Sequence, residues 1–291
     1  MAADPDDLAL RARAWWREAS QATPEADPPR AGPPRPASGG FRGLPRLTVV
    51  VPALNEEANL RAAAEAVLEH LGPRTSFLEV LVFNDASQDS TGWVAEQLMR
   101  DDPRVRAFHN PRRLGIGGIY QAGLRLARGD YYLLIPGDNE TRVDEIAPYL
   151  VTLDLEPVPS LLLFYPTNPQ VRPWRRRLAS WVYMVAVRLL FGCPTLRYAN
   201  GTNIVLTGLA RQLGLRTAGF AYQTEVVVRV LWRGIPCAQA GIRLQPRRAG
   251  RSTALSWANL QAVAGALARL GWELRVTTRE RRRRGAIWSL T

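Results

Sequence analysis

Apolar positions along the chain form short runs that alternate with amphipathic segments. The runs are strand-like, because most are nearly continuous over about five positions and several are rich in Val, Ile and Leu. They cover residues 47–52, 78–83, 105–109 and 131–135. The intervening segments place apolar residues three and four positions apart, as helices that pack on a sheet do. They cover residues 56–71, 91–100 and 116–128. This alternation predicts an α/β fold with right-handed crossovers and a mostly parallel sheet.

The chain divides into three parts by composition. Residues 1–45 contain a Pro- and Ala-rich stretch, which does not support a packed core, so we expect a disordered tail with one short amphipathic helix. Residues 46–252 carry the alternating pattern and form the predicted domain. Residues 253–291 follow as an apolar-rich helix over 254–274 and a basic tail.

The charge of the chain indicates what kind of partner it binds and says little about its fold. The 291 residues carry a net charge of +12, which predicts an anionic partner: nucleic acid, lipid headgroups or a phosphorylated substrate. The two cysteines and two histidines lack metal-ligand spacing, so we expect neither structural zinc nor a disulfide framework, and a reduced cytoplasmic setting fits. The acidic N-terminus does not resemble a secretory signal, and no apolar stretch convincingly predicts a membrane span.

An acidic loop follows the fourth predicted strand. After Pro136 and Gly137 come Asp138 and, two positions later, Glu140. Open α/β sheets bind ligands at the carboxyl ends of their strands. Two carboxylates there offer hard oxygen donors to Mg²⁺ or Mn²⁺ holding a diphosphate. The alternative is an acidic turn that caps a helix over 143–153.

Polar loops also follow the first two strands and point to the same edge. The first loop contains Asn55 and Glu56, and the second contains Asp85, Ser87 and Asp89. We expect Asp85 to accept hydrogen bonds from the N–H groups of a ligand. For Ser87 and Asp89, turns closed by the side chain are the simpler explanation.

Three motifs in this order resemble family-two inverting glycosyltransferases of the GT-A fold. They occupy residues 49–57, 84–91 and 129–140, and the likeness extends over roughly 46–252. The resemblance implies a nucleotide-binding, mostly parallel sheet flanked by helices. It also implies transfer of a sugar from a UDP- or GDP-linked donor, with Mg²⁺ or Mn²⁺ as cofactor.

The same resemblance assigns roles to individual residues. Asp138 is implied as the catalytic metal ligand, joined by Glu140. The implied nucleotide contacts are Pro52, Asn55, Glu56, Asp85 and Gly137, with Asp85 at the base. The chain departs from the family pattern at Asn84 and Ala86, where Asp and Gly are usual. It also has Pro136 or Gly137 where the first acid of the metal-binding pair usually stands.

A later pair of motifs resembles the dolichyl-phosphate mannosyltransferase branch, whose acceptor is a polyprenyl phosphate. Glu225 is followed by Arg229, and Arg247, Gly250 and Ser252 form an R-x-x-G-x-S motif. The likeness implies that Arg247 and Ser252 bind the acceptor, and that Glu225 orients the sugar or acts as base. The alternative for Glu225 and Arg229 is a surface ion pair one helical turn apart.

A basic stretch precedes Glu225 and favours an anionic acceptor. No Asp or Glu occurs between Pro157 and Thr224, while arginines recur throughout. Within this stretch, Arg177 and Ser180 are candidate acceptor-binding residues. The segment 174–187 is basic and then aromatic and apolar, as in a helix lying among lipid headgroups. We therefore expect peripheral contact with an anionic membrane, on the inner face of the cell membrane; the alternative is a helix packed on the sheet.

These features predict metal-assisted displacement at the anomeric carbon of a nucleotide-linked sugar, with no nucleic acid as partner. Two other functions stay open at this point. A sugar-nucleotide nucleotidyltransferase also combines an α/β sheet with a metal-binding carboxylate, although its usual Gly-rich basic opening loop is missing. A non-catalytic protein that binds nucleic acid or a membrane surface would explain the basic charge alone.

Overall fold

The computed structural model describes residues 43–154, 160–235, 237–245, 257–277 and 287–289. The strands that it describes join in one sheet of eight. They are β1 (Arg46–Ala53), β2 (Phe77–Asn84), β3 (Val105–His109), β4 (Tyr131–Leu134), β5 (Leu161–Pro166), β6 (Asn203–Leu206), β7 (Cys237–Ile242) and β8 (Ile287–Ser289). The first four agree with the predicted strands to within one residue at each end.

The order of strands across the sheet is β3-β2-β1-β4-β6-β5-β7-β8. Neighbours run parallel except β6, which is antiparallel to both β4 and β5. The predicted mostly parallel sheet is therefore confirmed. Because β1 lies between β2 and β4, the carboxyl ends of these three strands meet side by side.

Helices cover both faces of this sheet. They are α1 (Leu60–Leu71), α2 (Thr91–Asp101), α3 (Gly115–Leu126), α4 (Val143–Ile146), α5 (Trp174–Phe191), α6 (Thr207–Gln212), α7 (Tyr222–Trp232) and α8 (Trp257–Trp272). Side chains of β1 alternate between the two faces, so Val49 and Val51 pack with α1, α2 and α4 in one core. Val50 packs with α3, α5, α7 and α8 in the other.

Two predicted helices differ in extent from the observed ones. The helix expected over 143–153 is α-helical only to Ile146 and continues as a 3₁₀ helix over Ala147–Asp154. Pro148 has no N–H to donate to the preceding turn, which explains the change. The helix expected from Glu56 begins regularly at Leu60, and the Glu56 carbonyl accepts from the amides of Asn59 and Leu60.

The C-terminal segment packs on the domain where the structure describes it. Leu267, Leu270 and Leu274 are buried in the same core as the inner face of α5. The last described strand, β8, pairs with β7. Residues 1–42, with the helix expected near the start of the chain, lie outside the described residues.

Candidate active site

Loops that follow β1, β2 and β4 lie together at one edge of the sheet. The amide of Asp85 donates to the Ala53 carbonyl at 2.9 Å, and the amide of Gly137 donates to the Pro52 carbonyl at 3.0 Å. A Cβ on Gly137 would stand 3.1 Å from that same Pro52 oxygen. A glycine therefore lets the acidic loop lie directly against the first loop, and Pro52, Asp85 and Gly137 share one edge as expected.

The first two loops are linked by side chains that bond to the opposite backbone. The amide of Asn55 donates to Ser87 Oγ at 3.0 Å, and Asn55 Oδ1 accepts from the amide of Gln88 at 2.9 Å. The amide of Glu56 donates to Thr91 Oγ1 at 2.8 Å. Asn55 and Glu56, expected as nucleotide contacts, thus also hold the two loops in register.

Asp89 closes a turn, in agreement with the simpler of its two explanations. Its Oδ1 accepts from the amide of Thr91 at 3.0 Å, and its Oδ2 accepts from the amide of Glu57 at 3.3 Å. Partial burial alone would raise the pKa of the Asp89 carboxyl. The hydrogen bonds from Thr91 and Glu57 outweigh it and leave this pKa below its usual value.

Asp85 is buried beneath the loop that leads into α3. Only 3% of its surface is exposed. Its Oδ1 accepts from Asn110 Nδ2 at 3.0 Å and from the amide of Leu114 at 2.8 Å, while Oδ2 accepts from the amide of Gly115 at 3.0 Å. The carboxylate that we expected to face a base is thus bonded to the start of α3, and its contact with a nucleotide stays a prediction.

Backbone strain is concentrated in these loops. Asn55, Ala86 and Asn139 have positive φ values of 54°, 59° and 55°. Asparagine adopts this left-handed region more readily than alanine does, because its side chain can bond locally. Ala86 is therefore the most strained of the three, and it stands where the family usually has Gly.

The acidic loop is fixed from two sides. Asp138 Oδ1 accepts from the amide of Glu140 at 3.1 Å, and 8% of Asp138 is exposed. The chain after β7 closes over the loop: Gln245 Nε2 donates to the Asn139 carbonyl at 2.6 Å, and the Gln245 amide donates to the Glu140 carbonyl at 3.1 Å. The loop is therefore held in place by a segment about 100 residues further along the chain.

Two arginines surround the carboxylate of Glu140. Arg176 Nη1 and Nη2 donate to its two oxygens at 3.3 and 3.4 Å. Arg172 Nη2 lies 3.8 Å from Oε2, and the three side chains are all less than one quarter exposed. Glu140 thus forms ion pairs with the start of α5 and the turn before it.

The acidic loop fits a divalent cation of the kind that a diphosphate shares. Within the described ranges, no three His, Cys, Asp or Glu side chains are grouped as a complete set of metal ligands. Mg²⁺ in phosphate-transfer sites is usually held by one or two carboxylates, with substrate phosphates and water completing its shell. Asp138 and Glu140 supply hard oxygen donors of that type, two positions apart.

A cavity of about 590 Å³ is lined by residues of β5, of α5 and of the segments on either side of α5, and one of them, Arg172, contacts Glu140 of the acidic loop. Its charged lining consists of the arginines Arg172, Arg177, Arg188 and Arg197. Its aromatic lining consists of Tyr165, Trp174, Trp181 and Tyr198. Ser180 also lines the cavity, and none of the described lining residues is acidic. We call this cavity the arginine pocket. It brings together the predicted acceptor residues Arg177 and Ser180.

Glu225 is buried away from this pocket, with 3% of its surface exposed. Its oxygens accept from the amides of Arg216 and Thr217, the shortest at 2.8 Å, and from Arg229 Nε at 3.0 Å. Burial would raise the pKa of the Glu225 carboxyl, but the bonds from Thr217, Arg229 and Arg216 lower it overall. Arg229 also bonds Glu273 at 3.0 Å, so the pair is a buried network.

The loop that Glu225 holds reaches the start of α3. The Ala218 carbonyl accepts from the amides of Gly117 and Gly118, at 2.8 and 3.3 Å. Arg269 of α8 donates a hydrogen bond to the hydroxyl oxygen of Thr217. This geometry favours a structural role for Glu225 over the role of base that the sequence left open.

Arg247 and Ser252 lie outside the described residues, so their predicted acceptor contacts stay predictions. The last described residue before them, Gln245, is bonded to the acidic loop. Sequence reasoning missed Arg172, Arg176 and Tyr198 as individual site residues. The acid-free basic stretch was the signal for them, but spacing alone did not select these positions.

Comparison with known proteins now identifies the family. The model of "Glycosyl transferase family 2" matches residues 48–203, which is more than half of the chain. The chain belongs to glycosyl transferase family 2. The glycosyltransferase class expected from the three motifs is therefore confirmed, against a nucleotidyltransferase or a non-catalytic binding protein.

Curated relatives within this family are distant in sequence. Glycosyltransferase AglD of Haloferax volcanii is 26% identical over 86% of this chain, and the chain spans only 40% of that protein. Polyprenol monophosphomannose synthase of Mycolicibacterium smegmatis is 27% identical over 79% of this chain and 88% of that protein. Undecaprenyl-phosphate mannosyltransferase of Micrococcus luteus is 25% identical, over 71% and 86% respectively.

Solved structures confirm the predicted GT-A fold. Glucosyl-3-phosphoglycerate synthase from Mycobacterium tuberculosis, in complex with Mn²⁺, UDP-glucose and phosphoglyceric acid, superposes with a TM-score of 0.59. The match covers 78% of this chain and 80% of that chain, at 23% identity. At this identity the likeness establishes the architecture of the sheet and its helices.

Proposed function

We propose that this chain transfers a sugar from a nucleoside-diphosphate sugar to a polyprenyl phosphate, with inversion and with Mg²⁺ or Mn²⁺ at the acidic loop. One observation carries the proposal: a carboxylate loop at the end of β4 adjoins a pocket of arginines and aromatic rings. Opposite charges side by side suit a metal-bound diphosphate on one side and a phosphate acceptor on the other. The relatives named for polyprenol and undecaprenyl phosphates support this acceptor.

The donor half of the site consists of the linked loops after β1 and β2 together with the acidic loop. We assign the nucleoside of a UDP- or GDP-linked sugar to the edge formed by Pro52, Asn55 and Glu56, and its diphosphate to the acidic loop near Gly137. Asp138, with Glu140, would hold the cation. When bound, the cation neutralises negative charge on the departing diphosphate.

The acceptor half is the arginine pocket. A guanidinium group can donate two parallel hydrogen bonds to phosphate oxygens. We assign the acceptor phosphate to Arg177, Ser180 and Arg172, which line this pocket. An acceptor oxygen forms a bond to the anomeric carbon as the bond to the diphosphate breaks and its electron pair leaves with the nucleoside diphosphate. The acceptor is already ionised, so no general base is required. Arg247 and Ser252 complete this half in the proposal.

An apolar face on α5 offers an entry for the lipid part of the acceptor. The exposed side chains Trp174, Leu178, Trp181, Val182 and Leu189 lie on one side of this helix. Met184, Val187 and Phe191 are buried on the other. Trp174, Leu178 and Trp181 also line the arginine pocket, so the pocket and the exposed face share a rim.

We assign this face to the surface of an anionic membrane, on its inner side. Arginines at the start of α5 supply the complementary charge, each worth about 1 kcal/mol near an anionic leaflet. Among the described helices, none has the length and apolar character needed to cross a bilayer. Peripheral attachment through α5 would bring the pocket to the lipid phosphate.

Vesicle flotation tests the membrane assignment. Wild type should bind vesicles that contain phosphatidylglycerol and not vesicles of phosphatidylcholine alone. Trp181→Ser should weaken binding at least about tenfold, since burying one large apolar side chain is worth about 1.5–3 kcal/mol. Trp93→Ser is the matched control, because Trp93 on α2 is 63% exposed and Trp181 is 64% exposed. Equal losses in both variants would contradict the assignment.

A donor and acceptor panel tests the transferase proposal. Purified protein with Mn²⁺ or Mg²⁺ is incubated with UDP- and GDP-linked hexoses and citronellyl phosphate, and products are identified by mass spectrometry. The proposal predicts a hexosyl citronellyl phosphate with one class of donor, formed with inverted anomeric configuration. Formation of free sugar or of no product with every donor would contradict it.

A further inference from the structure

The guanidinium of Arg172 belongs to both halves of the proposed site. It lines the arginine pocket, where its Nη1 donates to Tyr198 Oη at 3.1 Å. Its Nη2 lies 3.8 Å from Glu140 Oε2 in the acidic loop. One planar group therefore stands between the pocket and a candidate ligand of the cation.

Arg172 is incompletely paired in this position. Its Nε is buried and has no hydrogen-bond partner among the described residues. A buried donor without a partner costs about 1–3 kcal/mol, so an anion that reached it would be favoured. The distance to Glu140 is also longer than the 3.3 Å contact that Arg176 makes with the same carboxylate. Arg172 is thus the more loosely held of the two arginines.

An anion in the pocket and Glu140 compete for this arginine. When a phosphate binds Arg172, less positive charge remains on Glu140, and its carboxylate becomes a better cation ligand. When a cation binds Glu140, the positive charge of Arg172 is no longer neutralised by that carboxylate, and Arg172 binds phosphate more strongly. Such a coupling is reciprocal by thermodynamic necessity.

We infer that Arg172 is a positioning residue that couples phosphate binding in the arginine pocket to divalent-cation binding at the acidic loop. The inference rests on the proposed function for the identity of the two ligands. It goes beyond that function in predicting that each ligand strengthens the other through one named side chain. Arg172 and Arg176 both contact Glu140, so we expect a cation to bind Glu140 more weakly until a phosphate binds Arg172.

The coupling is measurable without any sugar donor. Mn²⁺ is titrated into the protein with and without saturating citronellyl phosphate, and free Mn²⁺ is followed by electron paramagnetic resonance. A blank without protein corrects for Mn²⁺ bound by the phosphate itself. The ratio of the two Kd values is the coupling factor, for which we expect about five- to tenfold tightening in wild type.

Arg172→Gln and Arg197→Gln form a matched pair. Both arginines line the pocket and both donate to a tyrosine hydroxyl, Arg197 to Tyr165 at 2.8 Å, but Arg172 alone of the two contacts Glu140. Arg172→Gln should tighten Mn²⁺ binding in the absence of phosphate and reduce the coupling factor to about one or two. Arg197→Gln should weaken phosphate binding, but once citronellyl phosphate is saturating it should show the wild-type coupling factor.

Glu140→Gln separates a direct contact from general electrostatics. In this background Arg172→Gln should leave the Mn²⁺ affinity unchanged, because the carboxylate that the arginine holds is gone. If the arginine acted only through its charge at a distance, its removal would still tighten Mn²⁺ binding. Glu140→Gln also provides a test should Arg172→Gln fail to fold, since it alone should abolish the coupling.

The inference is overturned if Arg172→Gln keeps the wild-type coupling factor, if Arg197→Gln loses it equally, or if wild type shows none. These results are independent of catalysis. Coupling without sugar transfer would leave Arg172 in its role and contradict the proposed function. Sugar transfer with a coupling factor of one would support the proposed function and overturn the inference about Arg172.

Discussion

The Glu225 carboxylate belongs to a sequence motif, and in the structure its oxygens accept hydrogen bonds from a neighbouring loop and from Arg229. The alternative interpretation of the sequence is a surface ion pair with Arg229. The pair is present at 2.8 Å, but both side chains are buried, so the surface part of that interpretation is wrong. The amides of Arg216 and Thr217 that complete its environment come from a loop with no sequence pattern that predicts the contact. A motif can therefore select the residue without indicating which way its side chain faces.

Glu225→Gln should destabilise the protein at neutral pH. Replacing a buried, charge-assisted acceptor by an amide should lower the free energy of unfolding by about 1.5–3 kcal/mol. The pKa of the Glu225 carboxyl is lower in the folded protein than in the unfolded chain, where it is about 4.3. The ionised carboxylate therefore stabilises the fold above the unfolded-state pKa, and this contribution is lost as the pH falls through the folded-state pKa. Urea unfolding at pH 7 and below pH 4 should show the difference between variant and wild type shrinking at acid pH.

The control for this measurement is Glu65→Gln, which removes an exposed carboxylate paired with Arg61 on α1. It should change stability by less than about 0.5 kcal/mol at either pH. A difference for Glu225→Gln that grew on acidification would contradict the structural role.

Ala86→Gly tests backbone strain at the nucleotide edge. A residue with a Cβ at a φ of 59° carries about 1–2 kcal/mol of strain, part of which the greater unfolded-state entropy of glycine offsets. The substitution should raise the unfolding free energy by about 0.5–1 kcal/mol, measured by urea denaturation. Ala66→Gly in α1 should lower it by a similar amount. Destabilisation in both variants would show that Ala86 is unstrained.

At the scale of elements, the connection into β4 depends on close backbone contact. Gly129 lies against β1, and a Cβ there would stand 2.5 Å from the Thr48 amide and 2.6 Å from the Leu47 carbonyl carbon. The amide of Gly129 donates to Thr48 Oγ1 at 2.9 Å, and Thr48 in turn donates to Glu79 at 2.7 Å. This buried network fixes where β4 begins and therefore where the acidic loop emerges.

Gly129→Ala should destabilise the fold by about 1–3 kcal/mol or more, because backbone atoms cannot yield as a flexible side chain can. Gly265→Ala is the opposite case, since open space surrounds that position in α8. It should stabilise by up to about 1 kcal/mol. Thermal unfolding of the two variants provides the comparison. If Gly129→Ala left the thermal stability unchanged, the backbone that leads into β4 would be able to shift.

The first half of the sheet could be predicted from the sequence, and the second half could not. Runs such as 47–52 and 78–83 are continuous and flanked by helices, so their pairing follows from chain order. The antiparallel insertion of β6 between β4 and β5 depends on contacts such as Tyr132 with Val205, which are distant in sequence. Periodicity identifies a strand but does not name its partner in such cases.

At the scale of the whole molecule, the site is assembled from segments that are far apart in the chain. The order of the loops after β1, β2 and β4 could be predicted, because parallel strands present their carboxyl ends at one edge. The closure of the acidic loop by Gln245 and its ion pairs with Arg172 and Arg176 could not, since these depend on how α5 and β7 pack. The acid-free basic stretch predicted the charge of the pocket but not its shape.

Family membership and the adjacent charges support one central claim, that Asp138 holds the cation on which sugar transfer depends. The most direct test is the initial rate of hexose transfer to citronellyl phosphate as a function of Mn²⁺, in wild type, Asp138→Asn and Asp144→Asn. Asp144 pairs with Arg142 on the surface near the start of α4 and controls for the removal of one carboxylate.

Wild-type turnover should rise with Mn²⁺ and disappear with a chelator. Asp138→Asn should lower kcat by about a hundredfold at any Mn²⁺ concentration, since weakening the electrostatic stabilisation of the transition state by about 2.7 kcal/mol slows the reaction by that factor. Asp144→Asn should retain the wild-type rate. Full Mn²⁺-dependent turnover in Asp138→Asn, with its fold verified by circular dichroism, would contradict the assignment of the cation to the acidic loop.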